Sequence, residues 1–213
     1  MSVDAEADEP AAEPPDKLWE RLRADPLRAP EYIALAASEN HAPAAARWAD
    51  RRRRVFGTHP KLLGEMARRR HATLASVEGA ATGVGGIVTL IPDLVGLAWI
   101  QSRMVFFIAA AYGYDPRDRM RPAELLVING LYSDVPSARA ALDGIGTTVA
   151  EAYIGSKLER DEALVKKLVV MVSKSAGKKF GRLIPGFAIV YNAISNRRDT
   201  NALAKRAIKF YGG

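Results

Sequence analysis

The 213-residue chain contains no cysteine. That excludes disulfides, thiolate metal sites and cysteine nucleophiles, and it fits a reducing compartment. Aromatic residues are scarce at 8%, while alanine is abundant within an ordinary apolar share of 48%. This balance predicts helices rather than sheets. Histidine occurs only at His41, His59 and His71. No pair of them has the spacing of a His-Glu-x-x-His site, so structural or surface roles are expected and no metal or cofactor is implied. A Gly-x-Ser-x-Gly elbow and a Gly-Lys-Ser/Thr phosphate loop are also missing. The expected protein is therefore not an enzyme.

Long uncharged runs are lacking too. The longest, residues 79–92, 104–114 and 183–196, hold 14, 11 and 14 residues, against about 20 for a typical bilayer span. The most apolar stretch, "LIPDLVGLAWIQSRMVFFIAAAYGY" at 90–114, includes Asp93 and Arg103. Each costs about 2.5–3.5 kcal/mol near mid-bilayer. A lone transmembrane helix is thus disfavoured. What remains is a helix buried in a core, or one that sits partly in lipid within a helical assembly. Pro92 suits a first helical turn and Asp93 suits the positive end of the macrodipole, so a helix over 92–112 is expected. Arg103 lies ten residues beyond Asp93, roughly 15 Å along a helix. It needs another carboxylate, a wet cleft or a lipid phosphate.

Charge is unevenly placed. Residues 1–16 carry six acids, three prolines and no Lys or Arg, which predicts a disordered acidic tail. It has no basic segment followed by an apolar one, so no secretory signal is visible and a cytoplasmic location is expected. Removing those six negative charges from the total of +7 leaves +13 on residues 17–213. Between residues 47 and 70, nine basic groups face only Asp50 and Glu65. Arg51, Arg52, Arg53, Arg54, Arg68, Arg69 and Arg70 are the candidate anion-binding residues, with Asp93 and Arg103 as buried polar candidates. Anionic lipid fits them better than nucleic acid, because the segment has no interleaved aromatics and no recognised binding motif.

Turn and cap signals predict helices near 16–24, 30–39, 43–56, 60–77, 92–112, 122–133, 136–156, 160–178, 185–195 and 200–211. The fold class is all-α, one helical domain over 17–213 with two central apolar helices at 92–112 and 185–195. The glycines at 79–86 read as a close-packing or hinge segment joining two helices. One motif echoes: "LIPDLVGLAWI" at 90–100 and "LIPGFAIVYNAI" at 183–194 both precede an aromatic-glycine ending, Tyr112-Gly113 and Tyr211-Gly212.

The glycine-rich run, the "IPD" helix with its "YGYDP" ending, and the closing "GKKFGRLIPGFAIVYNAISNRRDTNALAKRAIKFY" together resemble the EcsC family over roughly residues 43–212. The resemblance implies a bacterial helical protein and a family named for a neighbour of an ATP-binding-cassette transporter. It transfers no catalytic or ligand-binding residue. The expectation is a non-enzymatic accessory protein, peripheral to the inner face of the cell membrane, that binds an anionic membrane surface or a membrane protein such as a transporter. A soluble helical scaffold is the alternative, and a small hydrolase or transferase a more distant one.

Overall fold

The computed structural model describes residues 13–81, 87–152 and 200–213, with side chains described outside 75–94. Every regular element among them is helical. In chain order they are α1 (Asp16–Ala24), a 3-10 turn (Pro26–Arg28), α2 (Ala29–Phe56), α3 (Pro60–Ala81), α4 (Ile87–Ala111), α5 (Arg121–Ile128), α6 (Val135–Leu142) and α7 (Thr200–Gly212).

The organising element is α4, which packs against α2, α3, α5 and α7. Residues 99–111 are all buried, without a break. A helix apolar around its whole circumference must be covered on every side, and here protein covers it. No helix among the described residues is long and apolar enough to cross a membrane. The large side chains of the core, Trp99, Met104, Phe106, Phe107 and Ile108, come from α4. The facing surface of α2 is mostly small, with Ala34, Ala37, Ala42, Ala45 and Ala49 all buried, and Trp48 packs on Phe107 at 5.3 Å. Large against small is how two helices interdigitate at interior density.

Several expected boundaries are corrected. The helices expected at 30–39 and 43–56 are one, α2, with Pro43 inside it. Pro43 removes the N–H that the Glu39 carbonyl would accept, but Glu39 and Asn40 are exposed, where water can replace that donor. The apolar helix expected from residue 92 begins at Ile87 instead. Pro92 is therefore its sixth residue rather than a first-turn proline, and Asp93 does not open the helix. The helix expected at 122–133 stops at Ile128. Gly130 takes φ +62° and Leu131 N–H reaches back to the Leu126 carbonyl at 2.9 Å, which closes the helix in a Schellman turn.

The helix expected at 136–156 is split after Leu142. Gly144 has φ +81°, and a Cβ on Gly146 would lie 2.7 Å from the Ala141 nitrogen, so only glycine fits this turn. A new helical turn starts at Val149. Thr148 N–H donates to Glu151 at 2.7 Å and Glu151 N–H to Thr148 Oγ1 at 3.2 Å, a reciprocal capping box. The helices expected at 160–178 and 185–195, the second central apolar helix included, lie outside the described residues, as does most of the acidic tail.

One buried carboxylate ties the two halves together. Glu31, in the first turn of α2, is 1% exposed. Its Oε1 accepts from Tyr132 Oη at 2.5 Å and from Val149 N–H at 3.1 Å. Burial, then the bond to Glu31, raises the Tyr132 phenol well above its ordinary value.

The two aromatic-glycine endings of the echoed motif meet in space. Tyr112 is wedged between α3 and α7: a Cβ on Gly64 would lie 2.7 Å from its ring and one on Gly212 3.0 Å. Gly64→Val should therefore lower stability by about 1–3 kcal/mol through overpacking, read as a lower urea midpoint. Adding Tyr112→Ala should recover less than additive loss, whereas full additivity would mean that the ring and residue 64 do not compete for this space.

Candidate functional site

Two clusters of chemistry-bearing side chains emerge, one inside the bundle and one at its end. The inner cluster lies where α2, α3 and α4 meet. His41 and His71 are each 0% exposed and Arg103 is 3% exposed. The His41 ring meets Trp99 edge-on at 4.4 Å, and His71 meets Phe107 at 4.9 Å. The Arg103 guanidinium stacks over Phe107 at 4.9 Å, with Arg70 at 5.8 Å from the same ring. Phe107 thus serves two cations at once through its π face.

Burial, then the charge of Arg103, then His71, pushes His41 down to about 3. Burial does the same to His71, helped by Arg103 and Arg70 and opposed by its bond to Ala67. Both imidazoles are neutral at pH 7. His71 donates from Nδ1 to the Ala67 carbonyl at 2.8 Å, which leaves its Nε2 deprotonated. With no exposed surface, neither ring can touch a solute in this conformation. Both rings are enclosed by the core. Their proximity was not anticipated, although a signal existed: His41 falls four residues from Ala37 and Ala45, and His71 four from Ala67, on the buried stripe of each helix.

The outer cluster is built where α2 ends, α3 begins, and α4 and α7 end. Arg53 reaches from the last turn of α2 to the Ala110 carbonyl of α4, a cation placed on the negative end of that helix. Gly113, at φ +90°, closes α4, with Tyr114 N–H bonded to the Ala109 carbonyl at 3.1 Å. Tyr114 then packs on Tyr211 at 5.0 Å, and Phe210 on Tyr211 at 5.1 Å. Arg121, 7% exposed, sits over both tyrosines at 5.1 and 5.7 Å and pairs with Glu124 and Asp118. Tyr211 donates to Glu124 at 2.8 Å. Burial raises the Glu124 carboxyl above its ordinary value, against the pull of Tyr211 and Arg121.

This scaffold holds apolar side chains out in water. Val55, Phe56, Leu62, Tyr114 and Phe210 are all exposed, Val55 at 55%. The other large exposed apolar side chain among the described residues, Ile145, is in the turn after α6. Arg54, Lys61 and Lys209 are exposed beside the group. Gly57, at φ +68°, lets the chain reverse between Phe56 and Pro60, so Val55, Phe56 and Leu62 share one tip.

The seven candidate arginines divide. Arg51 to Arg54 occupy the last turns of α2, where Arg54 is exposed, Arg52 lies 6.0 Å from the Phe56 ring and Arg53 caps α4. Arg68 and Arg69 both bind Glu65 on α3, and the Arg68 hydrogen bond is the main reason its carboxyl falls to about 2. Arg70 turns toward Phe107. Arg103 is buried, as anticipated, while the side chain of Asp93 lies outside the described residues.

A family model described as the EcsC protein family matches residues 34–212. The chain belongs to the EcsC family. The match starts inside α2, nine residues before the resemblance was placed, and runs to the end of α7. A curated relative, the uncharacterised protein YdbA of Bacillus subtilis strain 168, is 25% identical over 138 residues. That alignment covers 64% of this chain and 51% of the relative, so the chain spans about half the relative's length. No solved structure matches the chain.

The inner cluster sets a pH dependence. The unfolded chain takes up protons on both histidines near pH 6.5, while the fold holds them neutral to about 3. Stability is therefore complete above about pH 7 and lost as pH falls, by up to about 2.7 kcal/mol per unit for two sites. Denaturant midpoints between pH 7 and 4.5 should drop steeply in the native chain and less in His71→Gln. Equal slopes in the two proteins would count against this origin.

Proposed function

We propose that this protein docks peripherally on an anionic membrane surface, using the end of the bundle where α2, α4 and α7 terminate. The observation that carries the reading is the convergence of Val55, Phe56, Leu62, Tyr114 and Phe210, all exposed, with Arg54, Lys61 and Lys209 at the same end. Exposed apolar side chains rimmed by cations mark an interaction surface. A lipid interface satisfies both halves: apolar tips enter the acyl boundary while each basic group contributes about 1 kcal/mol at an anionic surface. Tyr114 suits the headgroup level, where an aromatic body and a polar tip are both accommodated.

The binding is peripheral because residues 99–111 of α4, the most apolar helix described, are buried in the core. Arg68 to Arg70, farther along α3, contribute less here than the exposed Arg54, since Glu65 and Phe107 already engage them. A membrane protein such as a transporter is the alternative occupant of this end, and a scaffold without lipid affinity the alternative role.

Co-sedimentation with phosphatidylcholine vesicles, with and without phosphatidylglycerol, separates these readings. The native chain should pellet with the anionic vesicles at low salt and be weakened by salt. Val55→Asp with Phe56→Asp should reduce partitioning about tenfold or more, since tenfold is only about 1.4 kcal/mol. A native chain that stays in the supernatant with both compositions, or a double variant that binds as well as the native chain, would overturn the proposal.

A further inference from the structure

Between α3 and α7 runs an open groove of about 540 Å³, lined by Glu65, Arg68, Asn201, Lys205, Ile208 and Lys209. On α7, residues 201, 205, 208 and 209 fall on one face at helical spacing. Facing them, Glu65 and Arg68 stand one turn apart on α3. The lining carries three cations and one carboxylate. That carboxylate is already engaged, because Glu65 accepts from Arg68 Nε at 2.8 Å and from Arg69 Nε at 3.0 Å.

Arg68 is held rigidly. Its Nε and one terminal nitrogen bind Glu65, and the other terminal nitrogen donates to Asn201 Oδ1 at 2.5 Å. Three of its five N–H groups are committed, so two remain to donate elsewhere from a fixed plane. Lys205 and Lys209 are exposed, and neither makes a hydrogen bond or ion pair among the described residues. The groove therefore presents an oriented guanidinium fork and two ammonium groups with a net charge of about +2. It also adjoins the apolar end, since Lys209 precedes Phe210.

We propose that this groove is a binding site for a phosphomonoester. A monoester carries about −1.5 to −2 at neutral pH with three acceptor oxygens, which matches the net charge and the donors on both walls. A phosphodiester, with one negative charge, leaves a lysine unmatched. Ile208 gives the apolar part of an ester a place to lie. The membrane reading above supplies one source of such a group, a lipid headgroup, but the groove's chemistry stands without it, because a soluble phosphate ester presents the same oxygens.

The test uses the full chain and three probes: glycerol 3-phosphate in solution, phosphatidic acid vesicles, and phosphatidylglycerol vesicles matched to the same surface potential. The native chain should prefer phosphatidic acid by about fivefold or more, and Lys205→Ala with Lys209→Ala should bring that ratio to about one. Both lysines are solvent-exposed, and an unchanged urea midpoint would verify that the double variant is folded. Saturable binding of glycerol 3-phosphate, lost in the double variant, would place the source in solution as well. A preference unchanged by the lysine substitutions, or no preference together with no glycerol 3-phosphate binding, sinks the proposal. Should neither vesicle type bind the native chain, the membrane reading fails, and glycerol 3-phosphate titration of the native chain and the double variant then decides the groove alone.

Discussion

The rest of the structure depends on covering α4. Thirteen consecutive buried residues, 99–111, leave that stretch of the helix no face open to water, and at about 25 cal/mol per Å² the exposure of even part of it is costly. Four helices meet this demand from different directions. The small residues of α2 bring one backbone close, α3 and α7 grip the far end through Tyr112, and α5 touches it as well. Polar groups caught inside have to be made tolerable, and they are: the histidines are neutral, and Arg103 lies over an aromatic ring rather than in hydrocarbon alone.

This arrangement explains why the surface looks as it does. The basic residues of 47–70 form a dense cationic segment in the sequence, but the core recruits two of its arginines, one from α2 and one from α3. Arg53 completes the C-terminal end of α4 and Arg70 turns to Phe107, so charge that seems spare in the sequence is partly structural. What remains outward, Arg54, Lys61 and the lysines of α7, gathers at one end beside apolar tips. The functional reading rests on that residue of uncommitted charge and uncovered side chains, not on the total charge of the chain.

Much of the fold was legible. Helical periodicity and cap residues placed α1 and α7 and the start of α3 almost to the residue, and the charge-free run lengths correctly denied α4 a solitary bilayer span. Prolines were the main source of error. Pro43 and Pro92 are local stop signals, whereas α2 and α4 continue on both sides of them, and around Pro43 tertiary burial prevailed over local preference. The Gly144 to Gly146 turn was missed for the opposite reason, because an apolar stripe running across it concealed a capping box at Thr148 and Glu151. At the candidate site the arginines were visible, but the exposure of Val55, Phe56 and Leu62 was not. That depends on where Gly57 reverses the chain and on which faces α4 and α7 have already covered.

Synthesis of the chain meets the same demand in time. α4 is complete at Ala111, while α7, whose buried Leu203, Ala204 and Ala207 belong to the same core, lies about 90 residues later. At about 5–20 residues per second, a growing chain carries a finished but partly uncovered apolar helix for several seconds or more. α2 and α3, already made, can shield much of it during that interval, and α7 seals the core only once residues 200–212 have emerged. The nascent chain is thus at its most adhesive between the synthesis of α4 and that of α7, and a truncation before α7 removes the segment that ends that exposure.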